Sequence, residues 1–293
     1  MAGALEPAPV GPRPTGVQIY PPVAPRLRHP VILAHGLFGF DHVNVLGKPV
    51  VYYFAGVPAW LRAAGNTVHV SRVAPMGSIR HRAEQLAAFV QGQLAGAKAH
   101  LIAHSMGGLD ARYAIQELGL GNQVLSLTTL GTPHRGTVIA DKVVGWTRLP
   151  AGLELWLRSF GADLEALRDL ARPAMAEFNR RIVDDPRVRY ASVAGEFSPT
   201  WSWRMGLFPH RLITSPILQS AEGPNDGIVS VASAEWGTHS EVWRGDHFNL
   251  VNWHLPGSQS EAENGPRWEH WAAMLRRLGP VEAPGGIAKR VDD

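Results

Sequence analysis

Residues 101–108, Leu-Ile-Ala-His-Ser-Met-Gly-Gly, decide how this chain of 293 residues is read. An apolar run of strand length ends in a histidine, a serine and small residues, and a helix-forming stretch follows at once. The implied geometry is a buried strand, a sharp turn presenting Ser105, and a helix. A serine hydroxyl is a poor nucleophile unless a tight turn exposes it beside a base, and such a turn needs small residues where the backbone crowds itself. Ala103, Gly107 and Gly108 supply them, with Ala103 placing one methyl where the usual G-x-S-x-G has its first glycine. The competing reading is a glycine-rich helix start that merely packs closely or binds an anion. It is the weaker one, because strand, small residues and helix fall in the order a nucleophile requires.

Composition sets the frame. With 45% hydrophobic and 18% charged residues the chain buries a large core, most simply as one α/β domain with excursions. The formal charge of +3 comes without a basic run interleaved with aromatics, so a nucleic-acid role has no support. The absence of cysteine excludes disulfides, thiolate metal sites and thiol catalysis. No apolar run is long enough for a signal-peptide core or a membrane span, so the chain as written is expected to be cytoplasmic by default.

Outward from Ser105, the elements alternate. Seven prolines before residue 26 make residues 1–29 an extended arm. Residues 30–34 read as a strand opening into His35-Gly36-Leu37-Phe38-Gly39. Acyl transfer generates an oxyanion, and such a loop can aim backbone N–H groups at it; Leu37 N–H and Met106 N–H are the candidate donors. A helix over 59–64, a strand over 67–70, a helix over 79–96, the strand before Ser105, a helix over 106–118 and a strand over 124–130 follow. That alternation predicts a mostly parallel sheet covered by helices, with the site at the strands' carboxyl ends.

Several stretches resemble the bacterial true lipases of the Pseudomonas and Proteus type, within the α/β-hydrolase fold. They are HGLFGFD at 35–41, YFAGVPAWLRAAGNTVHV at 53–70, RAEQL at 82–86 and TPHRG at 132–136. The resemblance implies a serine carboxylic-ester hydrolase with an acyl-enzyme on Ser105, acting on acylglycerols or other apolar esters. A short-chain esterase, a polyester depolymerase and an acyltransferase would share its triad, and a hydrolase-like binding protein is the non-enzymatic alternative.

The acid and the base lie downstream. A strand over 188–194 precedes two candidate acids, Glu196 and Asp226; Asn225-Asp226-Gly227 stands just before Ile228–Val231 and resembles the family's acid motif, the competing reading being a turn that merely precedes a strand. Among thirteen histidines His247 is the candidate base, because it follows a short strand late in the chain and gives the order Ser105, Asp226, His247. His134 is read as structural, His35 and His104 as flanking groups, and the remaining histidines as surface residues.

Residues 137–184 read as helices without strands, an insertion placed to roof the pocket as a lid, within a hydrolase domain spanning 30–279 and followed by a tail, 280–293. Phe38, Trp146, Trp156, Trp201 and Trp203 are candidate substrate contacts at an acyl pocket or a lipid–water interface. No cofactor is expected. The family's calcium is held partly by an aspartate two residues after the base, where this chain has Asn249, and no aspartate lies between Arg187 and Asn225. No zinc-binding histidine motif is present either.

Overall fold

The computed structural model describes residues 21–37, 42–45, 48–145, 164–197, 210–253 and 267–279. Strand β1 (Val31–Ala34) is followed by an antiparallel hairpin, β2 (His42–Val45) and β3 (Lys48–Tyr52), that stands apart from the main sheet. The main sheet comprises β1, β4 (Val68–Val70), β5 (Ala99–His104), β6 (Val124–Leu130), β7 (Arg189–Glu196) and β8 (His239–Arg244). Its order is β4-β1-β5-β6-β7-β8, with every neighbouring pair parallel.

Side chains alternate across a strand, so one apolar run serves two layers. Val31, Leu33, Ile102, Leu130 and Val193 face α1 (Val57–Ala63) and a C-terminal helix over Trp268–Arg276, meeting Leu61, Trp271 and Leu275. Ile32, Ala34, Leu101, Ala103 and Leu127 face α2 (Ile79–Leu94) and α3 (Gly107–Glu117), meeting Leu86, Val90, Ala111 and Ile115. α2 forms where expected: Ser78 caps it by accepting from His81 N–H, its apolar residues share one face, and it ends at Ala95 in the left-handed region. The arm's residues 21–29 are tied to α1 and its exit loop. Asn66 accepts from Leu27 N–H and donates to Pro25 O, and Trp60 donates to Pro22 O.

Strand order positions the site. From β1 the chain crosses to β4 on one side and then returns to β5 on the other, so the direction of winding reverses between β1 and β5. A crevice opens at the carboxyl ends of two strands that part in this way. Ala34 lies in register with Ala103, which sets the His35-Gly36 loop beside His104-Ser105.

Between β6 and β7 the described residues form α4 (Val138–Gly145), α5 (Leu164–Asp169) and α6 (Arg172–Arg181), with no strand among them. Residues 146–163 of the expected helical insertion lie outside the described residues, as do 1–20 and the tail 280–293. Further on come α7 (Ser215–Ala221), α8 (Val231–Ala234) and, after β8, α9 (Trp268–Arg276).

Two readings are corrected. The stretch after Asp226 is not the strand of the competing reading: apart from a single bridge between Asn225 and Ser230 it is a turn, and Ser230 caps the short α8 by accepting from Ser233 N–H. Nor are the remaining histidines all at the surface. His100 and His210 are buried, each against a polar partner, Ser126 and Asp246 respectively.

Candidate active site

Ser105 closes β5 and has φ 55, one of three left-handed non-glycine residues among those described. A β-carbon crowds the carbonyl oxygen there, and such strain persists only where surrounding structure enforces it. Ser105 N–H donates to Leu130 O at 2.8 Å, while Ser105 O accepts from Thr132 Oγ1 at 2.7 Å and from Gly108 N–H at 3.1 Å. The turn is thereby held from β6, from the loop beyond it and from the first turn of α3.

The loop after β1 packs backbone to backbone against this turn. A Cβ on Gly36 would lie 2.6 Å from Ser105 Cβ, and one on Gly107 would lie 2.6 Å from His35 O. Both glycines are required by close approach. Leu37 and Met106, the expected oxyanion donors, meet in one apolar cluster with Ile79 and Leu109, and the helical insertion contributes Ala140, Ala166, Leu170 and Met175 to it.

Asp226 and His247 are brought together. His247 Nδ1 lies 2.7 Å from Asp226 Oδ2, and His247 N–H donates to Asp226 O at 2.9 Å. The other carboxylate oxygen accepts from Ile228 N–H at 2.9 Å and Val229 N–H at 2.7 Å. These two bonds coil the residues after Asp226 around its carboxylate. An ionised carboxylate only accepts, so His247 Nδ1 carries the proton and Nε2 keeps its lone pair. Glu196, the second candidate acid, is exposed at the end of β7, in register with Arg244 of β8, and its main-chain carbonyl accepts from Gly245 N–H. A Cβ on Gly131 would lie within 3.1 Å of both Asp226 Oδ2 and His247 Nδ1, so this loop too must be bare.

Two buried ion pairs support the two halves. Next to His247, Asp246 Oδ2 accepts from Arg211 Nε at 2.8 Å and lies 3.3 Å from His210 Nε2, while Oδ1 accepts from Phe248 and Asn249 N–H at 3.0 Å. Burial alone would push Asp246 up, but His210 and Arg211 outweigh it and hold the carboxyl at about 2. Beside the loop after β1, Arg82 donates to Asp110 Oδ2 at 2.9 Å and to His35 O at 2.9 Å. Here desolvation wins over Arg82 and pushes Asp110 up to about 7. Sequence reasoning missed Arg211 and His210, and the pairing of Arg82, because the partners lie 28 to 36 residues away.

Near His247 the polar side chains are engaged with one another. Asn249 Oδ1 accepts from Asp246 N–H at 2.9 Å, its Nδ2 donates to Trp253 O at 2.8 Å, and Asp246 is saturated by N–H donors. A hard cation needs several oxygens that are not already engaged. Trp243 is core and Trp253 is half-buried, its Nε1 donating to Tyr53 O at 2.7 Å. Phe38, Trp146, Trp156, Trp201 and Trp203 lie outside the described residues. A cleft of about 600 Å³ opens at the β4 edge, lined by Phe54, Pro58, Arg62, Val68, Val70 and Phe89 among others, and contains none of Ser105, Asp226 and His247.

No family model matches the chain. It is 29% identical over 281 residues to triacylglycerol lipase 2 of Saccharomyces cerevisiae, covering 77% of this chain and 81% of that protein. It is 40% identical over 121 residues to a triacylglycerol lipase of Vibrio cholerae, covering 40% of this chain and 36% of that one. Among solved structures, the mature Bacillus licheniformis lipase superposes with TM-score 0.63 at 20% identity, covering 88% of this chain and 94% of the lipase. A metagenomic carboxyl esterase superposes with TM-score 0.65 at 20% identity, covering 94% and 81%. With the parallel sheet and its helical layers, these likenesses identify the α/β-hydrolase fold.

Proposed function

We propose that this chain, related in sequence to triacylglycerol lipases, is a serine carboxylic-ester hydrolase of the lipase/esterase class. The observation that carries the reading is Ser105 in its left-handed turn at the end of β5, on the strand that neighbours the glycine loop. In the mechanism we infer, Ser105 Oγ attacks the ester carbonyl carbon and His247 Nε2 takes the hydroxyl proton. The N–H groups of Leu37 and Met106 donate to the oxyanion, a contribution typically worth a few kcal/mol per donor. His247 returns the proton to the leaving alcohol, and water attacks the acyl-enzyme with His247 again as base. Asp226 keeps the imidazole in the tautomer both steps need and stabilises the imidazolium.

The substrate class proposed is acylglycerols and other apolar esters. Residues 137–184 would act as the pocket's helical cap, a role supported by the cluster that α4, α5 and α6 share with Leu37 and Met106. The motif HGLFGFD at 35–41 favours the Pseudomonas/Proteus type within the lipases. The proposed reaction uses no metal. Hydrolysis of p-nitrophenyl esters from acetate to palmitate, run with calcium and with a chelator, tests all of this. The expected result is a rate rising toward long chains, unaffected by the chelator and lost in Ser105→Ala. A preference for acetate would replace the lipase reading with a small-ester hydrolase.

A further inference from the structure

The histidine before the nucleophile and a tyrosine distant in sequence are joined in a way the proposed mechanism does not use. Tyr53 Oη lies 2.6 Å from His104 Nδ1 and accepts from Gly36 N–H at 3.1 Å; His104 Nε2 lies 3.0 Å from His247 O. A carbonyl oxygen only accepts, so His104 Nε2 must carry a proton and donate to His247 O. His104 is buried, and desolvation together with the neighbouring His247 holds it well below the ordinary histidine range, so the ring is neutral and its Nδ1 is an acceptor. Tyr53 is buried and pushed up by desolvation, so it keeps its hydroxyl proton and must donate to Nδ1. Every proton in the chain is thereby assigned: Gly36 N–H to Tyr53 Oη, Tyr53 O–H to His104 Nδ1, His104 Nε2–H to His247 O.

We propose that Tyr53 and His104 are positioning residues that lock the oxyanion loop to the catalytic base through a one-way hydrogen-bond chain running beneath Ser105. One end fixes the Gly36 peptide, and with it the direction of the Leu37 N–H that follows. The other end fixes the main chain of His247, whose ring lies 4.4 Å from that of His104. A neutral His104 at that distance lets His247 gain its proton without a like charge beside it. Tyr53 is itself fastened to the segment after the base. Trp253 Nε1 donates to Tyr53 O at 2.7 Å, Ala55 N–H donates to Val251 O at 3.0 Å and Asn252 Nδ2 donates to Ala55 O at 2.9 Å. Oxyanion loop, nucleophile and base therefore move as one unit.

The inference rests on the serine-hydrolase reading of the same site, and the test separates the two. The ¹⁵N spectrum of uniformly labelled wild-type protein at pH 7 is expected to show His104 as a single Nε2–H tautomer. Tyr53→Phe removes one oxygen and leaves the ring. Its kcat on p-nitrophenyl butyrate is expected to fall at least tenfold with KM within twofold, and the His104 Nδ1 resonance is expected to shift as it loses its hydrogen-bond donor while Nε2 stays protonated against His247 O. Ser105→Ala, measured alongside, is expected to be inactive. If Ser105→Ala is inactive while His104 in the wild type is the Nδ1–H tautomer, or while Tyr53→Phe keeps the wild-type kcat, the chain of bonds is wrong and the hydrolase reading stands. If Ser105→Ala turns over normally, the hydrolase reading itself is wrong. Should Tyr53→Phe fail to fold, the wild-type tautomer alone decides.

Discussion

Arg82–Asp110, beside the loop after β1, and Arg211–Asp246, beside His247, are both fully buried arginine–aspartate pairs, and their carboxylates behave oppositely. Asp246 is met at both oxygens, by Arg211 and His210 on one and by two main-chain N–H groups on the other, and is held at about 2. Asp110 is met by Arg82 on one oxygen, its Oδ1 has no hydrogen-bond partner among the described residues, and desolvation pushes it up to about 7. A nearby guanidinium does not by itself keep a buried carboxylate ionised. The number of donors at its oxygens decides, because each replaces a water lost on burial.

The largest effect is expected where the carboxylate is held ionised. Arg211→Met removes its guanidinium and leaves His210 and two main-chain N–H groups, and should cost about 3 kcal/mol in urea unfolding, the low end of the usual penalty for breaking a buried pair. At pH 6 Arg82→Met should cost less, because Asp110 already takes a proton there; equal losses would break the comparison. Next comes the pH dependence of Asp110. A folded-state value above the unfolded one means the native protein binds the extra proton, so this residue's contribution falls as pH rises from about 4 to about 7. Asp110→Asn should therefore gain on the wild type across that window by an amount on the order of a few kcal/mol. Unfolding free energies at several pH values check it. The smallest effect belongs to Asp246, whose depressed value gives stability that is present above about pH 4 and lost as pH falls through about 2. That loss is about 2 kcal/mol in the wild type, and it should be missing from the acid limb of Asp246→Asn.

Much of this was legible in the sequence, for a reason particular elements make plain. β1, β5 and β6 are largely apolar runs ending at turn residues, β7 overlaps the strand expected over 188–194, and the helices over 57–63, 79–94 and 107–117 fall within a few residues of the stretches expected for them. Ser105, Asp226 and His247 carry local signals, a small-residue elbow, an Asn-Asp-Gly turn and a late strand end, and the fold draws Asp226 and His247 into contact. The 42–52 hairpin was missed because neither strand is a long apolar run and Pro49 interrupts the second. Ile228–Val231 was open to a strand reading because an apolar stretch after a turn looks the same whether the backbone extends or coils around an aspartate that has claimed its amides. Tyr53 and Arg82 stood in stretches that carried the resemblance, but nothing local named their buried partners, and His210 and Arg211 gave no signal at all. A polar residue in a core is stabilised by partners distant along the chain, and no local pattern records them.

The central claim is that Ser105 becomes covalently acylated. Treating the protein with an alkyl p-nitrophenyl phosphonate and locating the adduct by peptide mass spectrometry tests it most directly. One phosphonyl group per chain, on Ser105, with loss of esterase activity and no adduct in Ser105→Ala, is the predicted result. Modification of a different residue at the same rate in both proteins would contradict it.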